Sequence, residues 1–263
     1  MSESMKTVAS GDIEPVRQPE KTKVAMIFVA HPDDAEFGTA GSAAAWAREG
    51  WDVYYTIITD GGSGGDDHAT DVSQEARRKI SEIRKEEQRE AGRILGLKDV
   101  IFLDYPDGTL EPTLELRRDI VRLIRQYKVD RVVCQSPEWG WEWGYSIGRN
   151  HPDHLASGTA VLRAIYPAPQ NAWDFPELLA EGLEPYKVNE LLVVGAPHPN
   201  FAVDISDTLD LKIEALRAHK SQIQDPTGML ATWMRRWASS RAARYGLDYV
   251  EEFHRATQNW DED

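Results

Sequence analysis

Val24–Val29 (VAMIFV) is an unbroken apolar run rich in Val and Ile. Such a run without alternation describes a strand covered on both faces, as at the centre of a parallel α/β sheet. It stops abruptly at Ala30-His31-Pro32-Asp33-Asp34. Proline cannot donate to a sheet ladder but suits the first position of a helix. The order therefore predicts a helix opening at Pro32, with His31 near its N-cap, Asp33 and Asp34 in its first turn, and continuation through Ala43–Arg48. Two carboxylates there would complement the helix dipole, and capping alone would account for them. One His and two Asp are also half of a metal site, placed at the strand end where open α/β sheets bind ligands.

The remainder of the chain alternates. Trp51–Thr59, Val100–Leu103, Arg131–Cys134 and Glu190–Gly195 read as strands, with Phe201–Ile205 as a further one. Between them lie helix patterns. One runs from an N-cap at Ser73 to Leu95, closed by Gly96, with Ile80, Ile83, Ala91, Ile94 and Leu95 as its inner face. Others cover Leu114–Tyr127, the stretch after His151 through Leu162, Leu209–His219 and Met229–Tyr245. Strands alternating with helices predict an α/β fold, a doubly wound, mostly parallel sheet with helices on both faces. Residues 1–22 read as a flexible tail, and 23–263 as one domain whose C-terminal part, about 208–255, is helical.

Charge narrows the partners. With 30 Lys and Arg against 44 Asp and Glu, the formal net charge is −14. Nucleic acid and anionic membrane both call for a basic patch and are excluded as partners. No run approaches the ~20 apolar residues of a membrane span. The polar N-terminus lacks the apolar segment of a secretory signal. The single cysteine, Cys134, lies in an apolar run and reads as a buried structural thiol. The prior is a cytoplasmic enzyme or binding protein for small molecules. A homo-oligomer is compatible with the sequence. The loop Asp60–Asp67 carries four glycines but lacks the Lys-Ser/Thr of a phosphate-binding loop. It reads either as a substrate lid or as an idle surface loop.

Two tetrapeptides share one grammar: His31-Pro32-Asp33-Asp34 and His151-Pro152-Asp153-His154. In each, His precedes a helix, Pro opens it, Asp follows, and a metal-ligating side chain takes the third helical position. With the first and fourth strands flanking the reversal point of the sheet, both helix starts open onto one crevice. His31, Asp34 and His154 then form a three-ligand set with one position left for water, as catalytic zinc uses. The same donors also fit Fe(II). Asp33, beside a ligand but pointing elsewhere, is the natural general base for the bound water. His151, as an imidazolium oriented by Asp153, would stabilise the oxyanion. A helix cap is the structural alternative for His151 and Asp153.

AHPDDAEFG (30–38) followed by HPDHLASG (151–158) resembles the LmbE-like, or PIG-L-type, family of metal-dependent N-deacetylases. Ile83-Arg84-Lys85-Glu86-Glu87 with Ala91 and Leu95-Gly96, Phe102-Leu103 and Pro106-Asp107-Gly108 are similar to its middle segment. Val203-Asp204-Ile205, Lys212–Leu216 and His219-Lys220-Ser221-Gln222 are similar to its C-terminal segment. The likeness covers roughly residues 23–223. It implies a Rossmann-like fold and hydrolysis of an N-acetyl amide on a glucosamine-containing molecule. It implies zinc on His31, Asp34 and His154, Asp33 as base, His151 as electrostatic helper, and substrate contacts at Arg84 and Asp107. Arg149-Asn150 departs from the Tyr-Gly common in the mycothiol branch. His219 reads as a helix-end structural or subunit-contact residue.

Pro137–Asn150 holds Trp139, Trp141, Trp143 and Tyr145 at alternate positions among glycines. In an extended segment these rings share one face. That face is either a local core or a platform for a sugar ring, in which case Trp141, Trp143 and Arg149 contact substrate. An amidase for a larger acyl or thiol-conjugate amide, and a non-catalytic metal- or sugar-binding protein, are the competing functions. The intact Asp33 argues against the second.

Overall fold

In the computed structural model, the described residues are 22–140 and 150–258. The expected tail, apart from Thr22, and the residues Trp141, Trp143 and Arg149 lie outside them. The strands are β1 (Val24–Val29), β2 (Asp52–Thr59), β3 (Asp99–Tyr105), β4 (Arg131–Gln135), β5 (Glu190–Val194), β6 (Phe201–Asp204) and β7 (Val250–Thr257). They form one seven-stranded sheet in the order β3-β2-β1-β4-β5-β7-β6. β1 to β5 run parallel to one another, and β7 runs antiparallel to both β5 and β6.

The helices are α1 (Asp34–Gly38), α2 (Ala40–Arg48), α3 (Gln74–Leu95), α4 (Leu114–Tyr127), α5 (Pro152–Ala164), α6 (Pro176–Ala180), α7 (Leu209–Ala218) and α8 (Leu230–Ala242). None of the described helices is long and apolar enough to cross a membrane. β1 shows why its sequence does not alternate. Met26 and Phe28 enter the core shared with α4 and α5, while Ala25, Ile27 and Val29 enter the core shared with α2, α3 and α7. All six residues are buried, so period-two side chains find apolar cover on either face. Cys134 is part of the first core, and burial pushes its thiol up to about 12.

The structure corrects the expected elements in three places. The helix after β1 is not continuous: α1 ends at Thr39 and α2 restarts there. The new N-terminus is satisfied by Glu251, which accepts from the backbone N–H groups of Gly41 (3.1 Å) and Ser42 (2.7 Å). The C-terminal part is not purely helical, because β7 inserts between β5 and β6. Its apolar alternation is hidden by Glu251, buried against Lys212. The inner face of α3 is more polar than expected. Ser81, Arg84, Gln88, Ala91, Gly92 and Leu95 are buried, whereas Ile83 is 52% exposed.

Candidate active site

β1 lies between β2 and β4, so the sheet reverses its order at the carboxyl ends of β1 and β4. The chain leaving β1 is pinned on both sides. Ala30 N–H donates to Gln135 Oε1 (3.0 Å), and Ala30 O accepts from Thr59 N–H (2.9 Å) and Thr59 Oγ1 (2.8 Å). Pro32 does not open a helix as the sequence suggested. Asp33 is the N-cap of α1, at φ 91° and ψ −25°. A non-glycine residue there stores about 1–3 kcal/mol of strain, held by its surroundings. The second tetrapeptide follows the expected pattern: His151 is an N-cap at φ −56°, and Pro152 starts α5.

Three predicted ligands converge. His31 Nδ1 lies 3.2 Å from His154 Nε2 and 3.3 Å from Asp34 Oδ2. His154 Nε2 lies 3.0 Å from Asp34 Oδ1. Donor atoms around a tetrahedral ion at bond lengths of about 2.0–2.2 Å stand roughly this far apart. Two imidazole nitrogens and a carboxylate facing one point form a set that fits zinc or Fe(II). Asp34 also accepts from His31 N–H (2.8 Å), which fixes its carboxylate.

The far nitrogen of His31 faces two carboxylates. Nε2 lies 3.1 Å from Asp107 Oδ1 and 3.1 Å from Asp153 Oδ2. With a metal bound, Nε2 would carry the proton toward these carboxylates and Nδ1 would offer its lone pair on the side of Asp34 and His154. Such a carboxylate behind a ligating imidazole fixes its tautomer and orientation. Burial opposes charge on His31, but Asp107, Asp153 and Asp34 outweigh it and raise its pKa to about 12. Without a metal the ring is therefore protonated on both nitrogens, and a metal would displace the Nδ1 proton. Asp153 also accepts from Gly108 N–H (2.7 Å) and Leu110 N–H (3.1 Å). Burial acts to raise its pKa, yet His31 and these amides bring it down to about 2.

This corrects one expectation: Asp153 orients His31, not His151. The His151 ring is set by the backbone, its Nδ1 accepting from Asp153 N–H at 3.2 Å. Its ring stands edge-on to His31, with centroids 4.7 Å apart. Burial, then the charges of His31 and His154, lower the pKa of His151. The cationic form expected from sequence is disfavoured, and a neutral ring with its proton on Nε2 fits these contacts.

Asp33 lies beside the donor set with a different neighbour. Its Oδ2 is 3.3 Å from Arg84 Nη2. Burial first, then the charge of Asp34, push its carboxyl up to about 7, with Arg84 opposing. Arg84, 5% exposed, also donates to Pro32 O (2.8 Å) and Gly61 O (3.0 Å). Asp107, 6% exposed, accepts from Ser63 N–H (2.8 Å) and touches His31. These two of the predicted substrate residues lie buried beside the donor set. The glycine-rich loop is tied to them at Gly61 and Ser63, and Gly64 O accepts from Gln222 Nε2 at 2.9 Å. Gly140 N–H donates to Asn150 Oδ1 at 3.1 Å.

Sequence reasoning passed over Gln88, which accepts from the Asp33 N–H, and Glu36, which accepts from Gln88, while His219 is the helix-end residue expected, the C-cap of α7, buried against Glu36. The available signal was their spacing. Gln88 falls one turn after Arg84 on the inward stripe of α3.

A doubly wound sheet with a His–Asp–His donor set at its reversal point defines an α/β protein built around a metal site. Comparison with known proteins identifies the kind. The chain belongs to the PIG-L family, whose model, described as GlcNAc-PI de-N-acetylase, matches residues 26–165. It is 32% identical to the diacetylchitobiose deacetylase of Thermococcus kodakarensis over 195 residues, 74% of this chain and 68% of that one. It is 31% identical to the probable N-acetyl-alpha-D-glucosaminyl L-malate deacetylase 2 of Bacillus anthracis over 203 residues, 75% and 80% of the two chains. The inhibitor-bound N,N'-diacetylchitobiose deacetylase of Pyrococcus horikoshii superposes with a TM-score of 0.78 at 28% identity, covering 90% of this chain and 85% of that one.

Proposed function

We propose that this chain removes the acetyl group from the nitrogen of an N-acetylglucosamine-type sugar conjugate, with zinc held by His31, Asp34 and His154. The observation that carries the reading is the convergence of His31 Nδ1, Asp34 and His154 Nε2 at 3.0–3.3 Å, with Asp33 next to them in chain but turned to Arg84. When bound, such an ion polarises the acetyl carbonyl and makes water a nucleophile near neutral pH.

The protein's own residues then divide the work. Asp33 takes a proton as water attacks the carbonyl carbon, and delivers it to the nitrogen as the C–N bond breaks. The products are acetate and a free amine. His151 donates from Nε2 to the carbonyl oxygen as negative charge develops there. Asp107 and Asp153 hold His31 in its ligating tautomer. Arg84 and Asp107 are proposed as contacts for the innermost part of the sugar, and Trp141, Trp143 and Arg149 as contacts for its outer face. The relatives' names, all deacetylases of glucosamine-containing molecules, support this substrate class. An acidic chain of net charge −14 suits a small conjugate in the cytoplasm rather than a polyanion.

The test is acetate release from N,N'-diacetylchitobiose, N-acetylglucosaminyl malate and N-acetylglucosaminyl inositol by metal-stripped protein, before and after adding Zn²⁺ or Fe²⁺. Metal-dependent release from at least one is expected. Release only from longer acyl amides would establish the amidase reading. Metal binding with no release from any of them would establish a binding protein.

A further inference from the structure

One buried polar string has no part in the reading above: Gln88, Glu36 and His219, each 0% exposed. Buried polar groups have no water to fall back on, so their mutual contacts are specific and costly to break. The string starts at the peptide between Pro32 and Asp33. The carbonyl of that peptide accepts from Arg84 Nη2 at 2.8 Å, and its N–H donates to Gln88 Oε1 at 2.9 Å. Arg84 and Gln88 are one turn apart on α3, so one helix face holds both poles of a single peptide plane.

The Gln88 amide has only one orientation that works. Its Nε2 donates to Glu36 Oε1 at 2.9 Å, and an ionised carboxylate only accepts. The amide oxygen must then face the Asp33 N–H. Glu36 sits on α1, whose N-cap is Asp33 itself, so the string closes back on the residue it holds. The other Glu36 oxygen lies 3.3 Å from His219 Nε2, at ion-pair distance but without hydrogen-bond alignment. His219 is fixed by its chain neighbours. Ser221 Oγ donates to Glu87 Oε2 (2.6 Å), and Gln222 Nε2 donates to Gly64 O.

We propose that Gln88, Glu36 and His219 are positioning residues for Asp33: they hold the Pro32–Asp33 peptide in its left-handed turn and so keep the Asp33 carboxylate out of the ligand direction taken by Asp34. This rests on Asp33 being the general base. A backbone at φ 91° persists only while its surroundings over-determine it. Released, it would relax toward the helical geometry that the sequence alone suggests, and the base would swing away from the attacking water.

Gln88→Met removes both ends of the link at similar volume. In zinc-loaded protein, kcat for acetate release should fall on the order of 10–100-fold, as for a base displaced by about 1 Å. KM and bound zinc per chain should be unchanged, and a crystal structure should show residue 33 outside the left-handed region. Glu36→Leu should lower kcat likewise, whereas Glu36→Gln, which still offers an oxygen to Gln88, should recover most of it. His219→Leu, at the weakest link, should have the smallest effect. An unchanged kcat in Gln88→Met, a loss matched by lost zinc, or a residue 33 still at its positive φ overturns the proposal. If circular dichroism shows Gln88→Met unfolded, equal kcat in Glu36→Leu and Glu36→Gln overturns it. Asp33→Asn separates the two readings. Activity kept there removes the base reading and this inference with it; activity lost there but kept in Gln88→Met removes only the inference.

Discussion

The two His-Pro-Asp tetrapeptides differ by one letter and fold differently. At residues 151–154 the pattern gives an ordinary helix start, with His151 as N-cap and Pro152 at the first position. At residues 31–34 the same letters give a left-handed Asp33 and a five-residue helix that breaks at Thr39. The third position shows the consequence. Asp153 is 0% exposed and locked onto His31 and two backbone amides. Asp33, its counterpart, is turned to Arg84 beside the donor set. One aspartate is held against His31, and the other, proposed above as the base, lies beside Arg84. A backbone dihedral, not residue type, separates these roles.

The largest expected effects bear on what the motifs share. His154→Ala and His31→Ala each remove one donor of three, so both should lose bound metal and fall to background activity. Metal per chain by mass spectrometry checks this; full occupancy in either variant would remove the shared centre from the comparison. Next comes the asymmetry itself. Asp33→Asn should retain metal and lose on the order of 10²–10⁴ in kcat. His151→Ala should also retain metal, with a fall on the order of 10² from loss of one donor to the carbonyl oxygen. Asp153→Asn should instead weaken metal affinity about 10–100-fold, as expected for a carboxylate behind a ligating His, with most of kcat regained at saturating metal. Asp33→Asn and Asp153→Asn giving the same pattern would erase the distinction.

The smallest effect has opposite signs at the two aspartates and is read in metal-free protein. Asp153 is held down to about 2 from an ordinary 3.8. Its ionised form therefore stabilises the fold above pH 3.8, and that contribution is lost as pH falls toward 2. Asp33 is pushed up to about 7, so its contribution is fullest below pH 3.8 and is lost as pH rises through 7. Thermal melts at pH 8 should show Asp153→Asn lowered and Asp33→Asn raised, each by roughly a few degrees. Shifts of the same sign would refute the electrostatic contrast.

Much of this was legible before any coordinates. The apolar run of β1, the Ser73 N-cap and Gly96 C-cap of α3, and the alternation of strands and helices are local patterns, and local physics decides them. β7 and the α1–α2 break were not legible, because Glu251 satisfies the buried N-terminus of α2 from 209–210 residues away in sequence. Gln88 and Glu36 were missed for a related reason. Inward polar residues are invisible to a reading that equates the inner face with apolar side chains, and their partners lie 52 and 55 residues away in the chain.

The amino-acid sequence by itself determined the kinds of group available: two imidazoles and a carboxylate for a metal, a spare carboxylate next in chain, and a sheet order that could bring them to one crevice. Tertiary structure decided which aspartate is locked onto His31 and which lies beside Arg84, which nitrogen of His31 faces Asp34 and His154, and that the Asp153 carboxylate meets His31 rather than His151. These outcomes depend on a strained peptide held by α3 and on carboxylates converging from β3's exit and α5. They are balances between groups distant in sequence, and only the assembled protein sets the distances that settle them.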